Sequence, residues 1–300
     1  MSQLKKSIVL AAGVLASLAA AQATSVKYLF IFGDSYTATG FNANGAKPSA
    51  ANPIGNPTLP GSTFSGGYSW PGFLVTPAFR PASQTTLLYN YAVGGATVDS
   101  AVVAPPGNGI PSFVEQVSQW RSGAGTKPSY ALWNSENALA GAFFGINDIT
   151  QSYWRGGTQD APVARMVDRY FEQFQILYNG GVRNFFLITV PPLDRVPQIA
   201  QQSAAGRAKI MANVNSFNSQ LASRLQVFQQ NNKNVTAVVV DSAPPFIAAI
   251  SNPRQYGAPD ATCLNRNGKS CLWWDNLHPG EAIHRLLAES VANAFRGTFF

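Results

Sequence analysis

The chain has 300 residues, 46% of them hydrophobic and only 12% charged, with a formal net charge of +7. Its length allows a large core in one domain or two. Its Lys and Arg residues are scattered singly, which argues against a nucleic-acid surface in spite of a pI near 9.5.

Residues 1–6 are short and basic, with Lys5 and Lys6. Residues 8–21, IVLAAGVLASLAAA, are apolar but too few to span a bilayer. Ala21-Gln22-Ala23 then fits a small-x-small cleavage site, so residues 1–23 read as a secretory signal peptide. The mature chain, 24–300, is expected to be exported as a monomer. No later stretch reads as a membrane span, so no membrane partner is expected.

The first apolar run, residues 26–32, stops at Gly33-Asp34-Ser35. Such residues end many strands in turns, but a serine placed there also suits chemistry. Residues 41–69 follow, rich in Gly, Pro and Asn and without periodicity. An irregular stretch of that length is unusual unless it serves a site. A second apolar run at 87–93 leads into NYAVGGATVDS, and residues 112–121 read as a helix with a Ser cap and a Glu three residues on. The third run, 139–146, leads into Gly145-Ile146-Asn147-Asp148. A helix is expected over 162–178, with Pro162 first and Gly180-Gly181 after its end. A fourth run covers 183–190, an amphipathic helix 203–230, and a fifth run 235–241. A last helix is expected over 279–296, with Pro279 at its first position.

The five runs do not alternate cleanly, which is how strands buried on both faces read. Strands alternating with helices predict βαβ units, a parallel sheet and helices on both faces. Ligands of such sheets bind beyond the carboxyl ends of the strands. There is no internal repeat and no Ser- or Pro-rich linker, so one domain over 24–300 is expected.

Two cysteines, Cys263 and Cys271, are expected to pair in an exported chain. Closing so short a loop stabilises by about 2–3 kcal/mol in the chain-entropy model. Asn234-Val235-Thr236 is a glycosylation acceptor, whereas Asn56-Pro57-Thr58 is blocked by its proline. Two histidines and this Cys spacing match no common zinc pattern, so no metal and no cofactor are expected.

A serine nucleophile needs a base, and the choice lies between His278 and His284. Asp275 precedes His278 by three residues, close enough to orient the imidazole within one turn. A lone His at that place would read as a packing residue; Asp275 and the upstream Ser35 favour catalysis. His284 falls inside the last helix without such a partner and reads as structural. Gly95 and Asn147, each in a turn after a different strand, can donate to an oxyanion, although ordinary turn chemistry would also place them there. Trp273 and Trp274 are candidates to stack on a sugar or to fill the core, as are Trp70 and Trp154. Asp34 is a further candidate for substrate contact. No G-x-S-x-G elbow, G-x-G-x-x-G loop or Walker A loop occurs.

Ser35, Gly95, Asn147 and Asp275-x-x-His278 resemble, in order, the four blocks of the GDSL, or SGNH, hydrolases, with Tyr36 where that family has Leu. FGDSYTATGFN, NPIGNP and GGYSW further resemble the secreted fungal acetyl esterases of carbohydrate esterase family sixteen. The resemblance implies a flavodoxin-like, three-layer α/β/α sandwich with a five-stranded parallel sheet. It implies Ser35 as nucleophile, His278 as base, Asp275 as its orienter, and an oxyanion hole from the Ser35 and Gly95 N–H groups and the Asn147 amide. The implied substrate is a small ester, an acetylated hemicellulose oligosaccharide. The rival readings are a lipase acting on longer acyl chains and a carbohydrate-binding protein on a disused hydrolase scaffold.

Overall fold

The computed structural model describes residues 25–154 and 160–300. The expected signal peptide, 1–23, lies outside the described residues. The elements run β1 (Ser25–Gly33), α1 (Trp70–Leu74), β2 (Gln84–Asn90), α2 (Phe113–Ser122), β3 (Ala138–Phe143), α3 (Ile146–Thr150), α4 (Asp160–Asn179), β4 (Asn184–Ile188), α5 (Pro197–Ala200), α6 (Ala204–Asn231), β5 (Thr236–Val240), α7 (Ala243–Ser251) and α8 (Glu281–Ala294).

The five strands form one sheet in the order β2-β1-β3-β4-β5, every pair parallel. That is the flavodoxin-like order, whose switch point lies between β1 and β3. Register places Leu29 beside Leu88 on one side and Leu139 on the other, with Gly33 opposite Phe143 at the carboxyl edge. Leu29, Phe30, Ile31 and Phe32 are all fully buried. Each such side chain contributes about 1.5–3 kcal/mol relative to exposure.

The two faces are covered by different helices, and β4 shows how. Phe185 packs against Phe174 of α4 and Phe228 of α6. Its neighbour Phe186 points the other way, onto Trp70 of α1 and Phe295 just past α8. Alternate side chains therefore meet opposite helical layers, which explains the continuous apolar runs. Gly141 of β3 makes room for the Phe186 ring: a Cβ there would sit 2.0 Å from Phe186 Cζ.

Helix starts follow the sequence signals closely. Ser112 N–H donates to Glu115 Oε2 at 2.8 Å, and Ser203 Oγ accepts from Gly206 N–H at 3.1 Å. The last helix differs from expectation. It begins at Glu281 with Gly280 as its N-cap, while Pro279 sits in an isolated bridge to Trp273. The third run also stops early, at Phe143, because Gly145 takes φ 116° and turns the chain directly into α3.

The irregular stretch 41–69 is pinned rather than loose. The Asn56 side chain accepts from Asn42 N–H and donates to the Asn42 and Ala46 carbonyls. Pro53 O accepts from Leu88 N–H at 2.8 Å, so this stretch covers the outer edge of β2. Cys263 and Cys271 form a disulfide with their Cα atoms 5.1 Å apart. Among the described residues, no helix is long and apolar enough to cross a membrane.

Candidate active site

The end of β1 is fixed from three directions. Gln116 of α2 clamps Gly33, donating to its carbonyl at 2.9 Å and accepting from its N–H at 3.0 Å. A side chain at residue 33 would collide with Thr37 Oγ1 at 2.7 Å and Phe143 O at 2.9 Å. The Asp34 carbonyl then accepts from the Thr37 and Ala38 N–H groups, and Asp34 Oδ1 accepts from Tyr36 N–H at 3.0 Å. The result is a tight turn that holds Ser35 at the carboxyl edge of the sheet, 7% exposed.

His278 arrives from the far end of the chain. Its Nε2 lies 2.9 Å from Ser35 Oγ. Its Nδ1 lies 2.9 and 3.0 Å from the two Asp275 carboxylate oxygens. Asp275 Oδ1 also accepts the N–H groups of Leu277 and His278, at 2.8 and 2.7 Å. Burial pushes the Asp275 carboxyl up, but the hydrogen bonds from the His278 ring and from the two backbone N–H groups outweigh it and hold the group at about 2. Asp275 therefore stays ionised and fixes which imidazole nitrogen carries the proton. His284, in contrast, is buried inside α8, accepts from Trp70 N–H, and is pushed down to about 3 by burial and by His278. It reads as the structural histidine.

The other two turns converge on the same edge. Gly95 adopts φ 82° in the loop after β2, and a Cβ on its neighbour Gly94 would lie 3.7 Å from Ser35 Cβ. Asn147, on α3, is 7% exposed; its Nδ2 donates to Ala96 O at 3.0 Å and reaches Asp34 Oδ2 at 3.4 Å. Among the described residues, neither the Ser35 nor the Gly95 N–H donates a hydrogen bond. Unpaired backbone donors beside a candidate nucleophile are what an oxyanion would use.

Three candidate substrate contacts are buried away from the site. Asp34 is fully buried beneath the turn, where burial, together with the Asp148 charge and against the Tyr36 N–H bond, pushes its carboxyl up to about 7. It supports the turn and cannot touch a ligand. Trp273 is 0% exposed, with its indole N–H donating to Ala261 O at 2.8 Å; it belongs to the core. Trp70 is likewise buried, donating to Thr37 Oγ1. Trp274 does reach the site, edge-on to the His278 ring at 5.9 Å. Asn234 is exposed in the turn before β5, as a glycosylation acceptor requires.

Several site residues were not found by sequence reasoning. Phe64, from the irregular stretch, stacks on the His278 ring at 5.0 Å. Its only sequence signal was the length of that stretch. Tyr36 lies beside the imidazole at 5.8 Å and bonds to the His278 loop. Asp148 is buried, with Oδ1 accepting from Val98 N–H and Oδ2 unpartnered among the described residues. Burial, with some repulsion from Asp99 and against backbone hydrogen bonds, pushes it up to about 7.

The chain as a whole is similar to known proteins. Residues 29–291 match the family described as GDSL-like Lipase/Acylhydrolase. An acetylesterase of Thermothelomyces thermophilus is 47% identical over 92% of this chain and 90% of its own length. An acetylesterase of Hypocrea jecorina is 24% identical over 90% of this chain and 89% of its own. The fold resembles that of an acetyl xylan esterase from Geobacillus stearothermophilus, with TM-score 0.51 and 16% identity over 91% of this chain and 96% of that one. The serine at the edge of a parallel sheet thus sits in a chain that belongs to the GDSL family of carboxylic ester hydrolases.

Proposed function

We propose that this chain is a secreted acetyl esterase that deacetylates hemicellulose-derived oligosaccharides through a Ser35–His278–Asp275 triad. One observation carries the reading: a serine hydroxyl 2.9 Å from an imidazole nitrogen whose other nitrogen is held by a half-buried carboxylate. The likeness to the Thermothelomyces acetylesterase over nearly the whole chain supports the acetyl preference.

His278 Nε2 takes the Ser35 proton as Oγ attacks the ester carbonyl. Asp275 stabilises the resulting imidazolium. The oxyanion is received by the Ser35 and Gly95 N–H groups and by the Asn147 Nδ2 hydrogen that gives up its long 3.4 Å bond to Asp34 Oδ2. The alcohol leaves with the proton from His278, and an acetyl-enzyme remains on Oγ. Water, deprotonated by His278, attacks that ester and releases acetate. Every proton taken by His278 is returned, so no cofactor is required. Trp274 and Phe64 wall the imidazole and offer apolar faces to the sugar ring.

In this reading residues 1–23 are removed on export and Asn234 carries a glycan. The test is acetate release from acetylated xylan, its oligomers and pectin fragments, together with a series of 4-nitrophenyl esters. Activity falling off beyond two to four acyl carbons supports the reading. A preference for long chains on aggregated substrate would replace it with the lipase. Failure of an organophosphate to label Ser35 would favour the non-catalytic binding protein.

A further inference from the structure

Beyond the triad, one charged group at the site has no assigned role. Arg266 lies on the loop closed by the Cys263–Cys271 disulfide. Its guanidinium stacks over the Trp274 indole at 4.0 Å, and its side chain is 69% exposed. Trp274 in turn lies edge-on to His278. A single imidazole ring and its two hydrogen bonds therefore separate the Asp275 carboxylate beside Arg266 from the Ser35 hydroxyl.

Among the described residues, Arg266 makes no side-chain hydrogen bond. Its one carboxylate neighbour is Asp275 Oδ2, at 3.8 Å, beyond hydrogen-bond reach. Asp275 is already committed to the His278 ring and two backbone N–H groups. The second cation of the loop, Lys269, likewise lies beyond hydrogen-bond reach of its carboxylate, 3.9 Å from Glu281 Oε2, but among the described residues it stacks on no aromatic ring. The planar donor fork of Arg266 is thus exposed to solvent at the rim, with its plane stacked on Trp274.

The backbone that carries Arg266 is fixed. Asn265 N–H donates to Trp273 O at 2.9 Å, and Gly268 N–H to Asn265 O at 3.0 Å. Gly66, two residues beyond Phe64, packs so tightly on this loop that a Cβ there would lie 2.8 Å from Arg266 O. A guanidinium pre-set on an aromatic face loses little freedom when it binds, and its fork matches a carboxylate bidentately.

We infer that the Arg266–Trp274 stack is a subsite for a carboxylate-bearing sugar next to the acetylated one, so that the enzyme favours acetyl esters on uronic-acid-containing oligosaccharides. The inference rests on the esterase reading above and names which of its substrates are preferred. Two sources share this chemistry: a glucuronate branch on a xylose backbone and a galacturonate backbone.

The test compares kcat/KM for three acetylated oligosaccharides of equal length: neutral xylose, xylose with a glucuronate branch, and galacturonate. 4-Nitrophenyl acetate serves as an uncharged reference. The wild-type enzyme should favour at least one acidic oligosaccharide over the neutral one by about three- to tenfold, an advantage that shrinks with added salt. Arg266→Gln should abolish the preference and Arg266→Glu should invert it, whereas Arg266→Lys should keep part of it. Whichever acidic substrate responds identifies the source. Equal acidic-to-neutral ratios in wild type and both charge variants, with melting temperatures unchanged, would overturn the subsite and leave the esterase standing. Absence of hydrolysis of every ester, the uncharged reference included, would overturn both.

Discussion

The Tyr36 hydroxyl donates to the Leu277 carbonyl at 2.5 Å, joining the turn that carries the proposed nucleophile to the loop that carries its proposed base. The two residues are 241 positions apart, yet each is adjacent to a triad member. Burial pushes the phenol well above its ordinary range, with the Asp34 and Asp275 charges adding to the effect, so it remains a donor at every working pH.

Tyr36→Phe should therefore lower kcat by about tenfold with little change in KM, because the seryl oxygen and the imidazole lose their common anchor. The Leu277 carbonyl left without its donor costs about 1–3 kcal/mol. A thermal melt should fall by several degrees. Unchanged kcat would show that the loop is held adequately by Asp275 alone.

Asn147→Ala should reduce kcat by about a hundred- to a thousandfold, the cost of one oxyanion donor. Ser35→Ala should fall further, by about ten-thousandfold or more. Steady-state kinetics on 4-nitrophenyl acetate measures both. Near-full activity in the Ser35 variant would remove the proposed nucleophile.

Two buried carboxyls set a pH trend in stability. Asp34 and Asp148 are each pushed to about 7 in the fold from the ordinary value of 3.8, so the folded chain binds more protons than the unfolded chain between those values. Their contribution is full below the unfolded value and is lost as pH rises through the folded one. Asp275, held at about 2, works in the opposite sense: its contribution is present above the unfolded value and is lost as pH falls toward 2. His284, held at about 3, also loses its contribution as pH falls, but the two raised carboxyls outweigh it, so melting temperature should peak at about pH 4 and decline toward 7. Asp148→Asn should flatten the decline on the alkaline side. A melting temperature that climbs steadily from pH 5 to 8 would contradict the trend.

Adjacent tryptophans should separate cleanly. Trp273→Ala opens a hole in the core and should destabilise by about 3–5 kcal/mol. Trp274→Ala should leave the melting temperature within about two degrees and raise KM for oligosaccharides more than for 4-nitrophenyl acetate. Equal effects of the two substitutions on melting temperature would refute the assignment of one to packing and the other to the site.

The sheet was legible because burial on both faces leaves an unbroken apolar run, and the helix starts because their caps are local. Ser35, Gly95 and Asn147 stood out because each lies just past a strand, and Asp275 with His278 because three residues separate a carboxylate from an imidazole. Asp34 and Trp273 misled because a residue beside a reactive one in sequence can face the opposite way. Phe64 and Arg266 could not be found, since their place depends on how two irregular loops pack on each other, and no periodicity encodes that.

The excursion between β1 and α1 touches two unrelated vulnerabilities at once. Pro53 occupies a backbone donor on the sheet's border, and Phe64, eleven residues on, lies against the imidazole. Shortening this excursion would leave a sticky strand margin open to neighbouring molecules while stripping a wall from the reaction chamber. Variants selected for turnover would then be filtered for colloidal behaviour as well, and the two traits could not be bred independently.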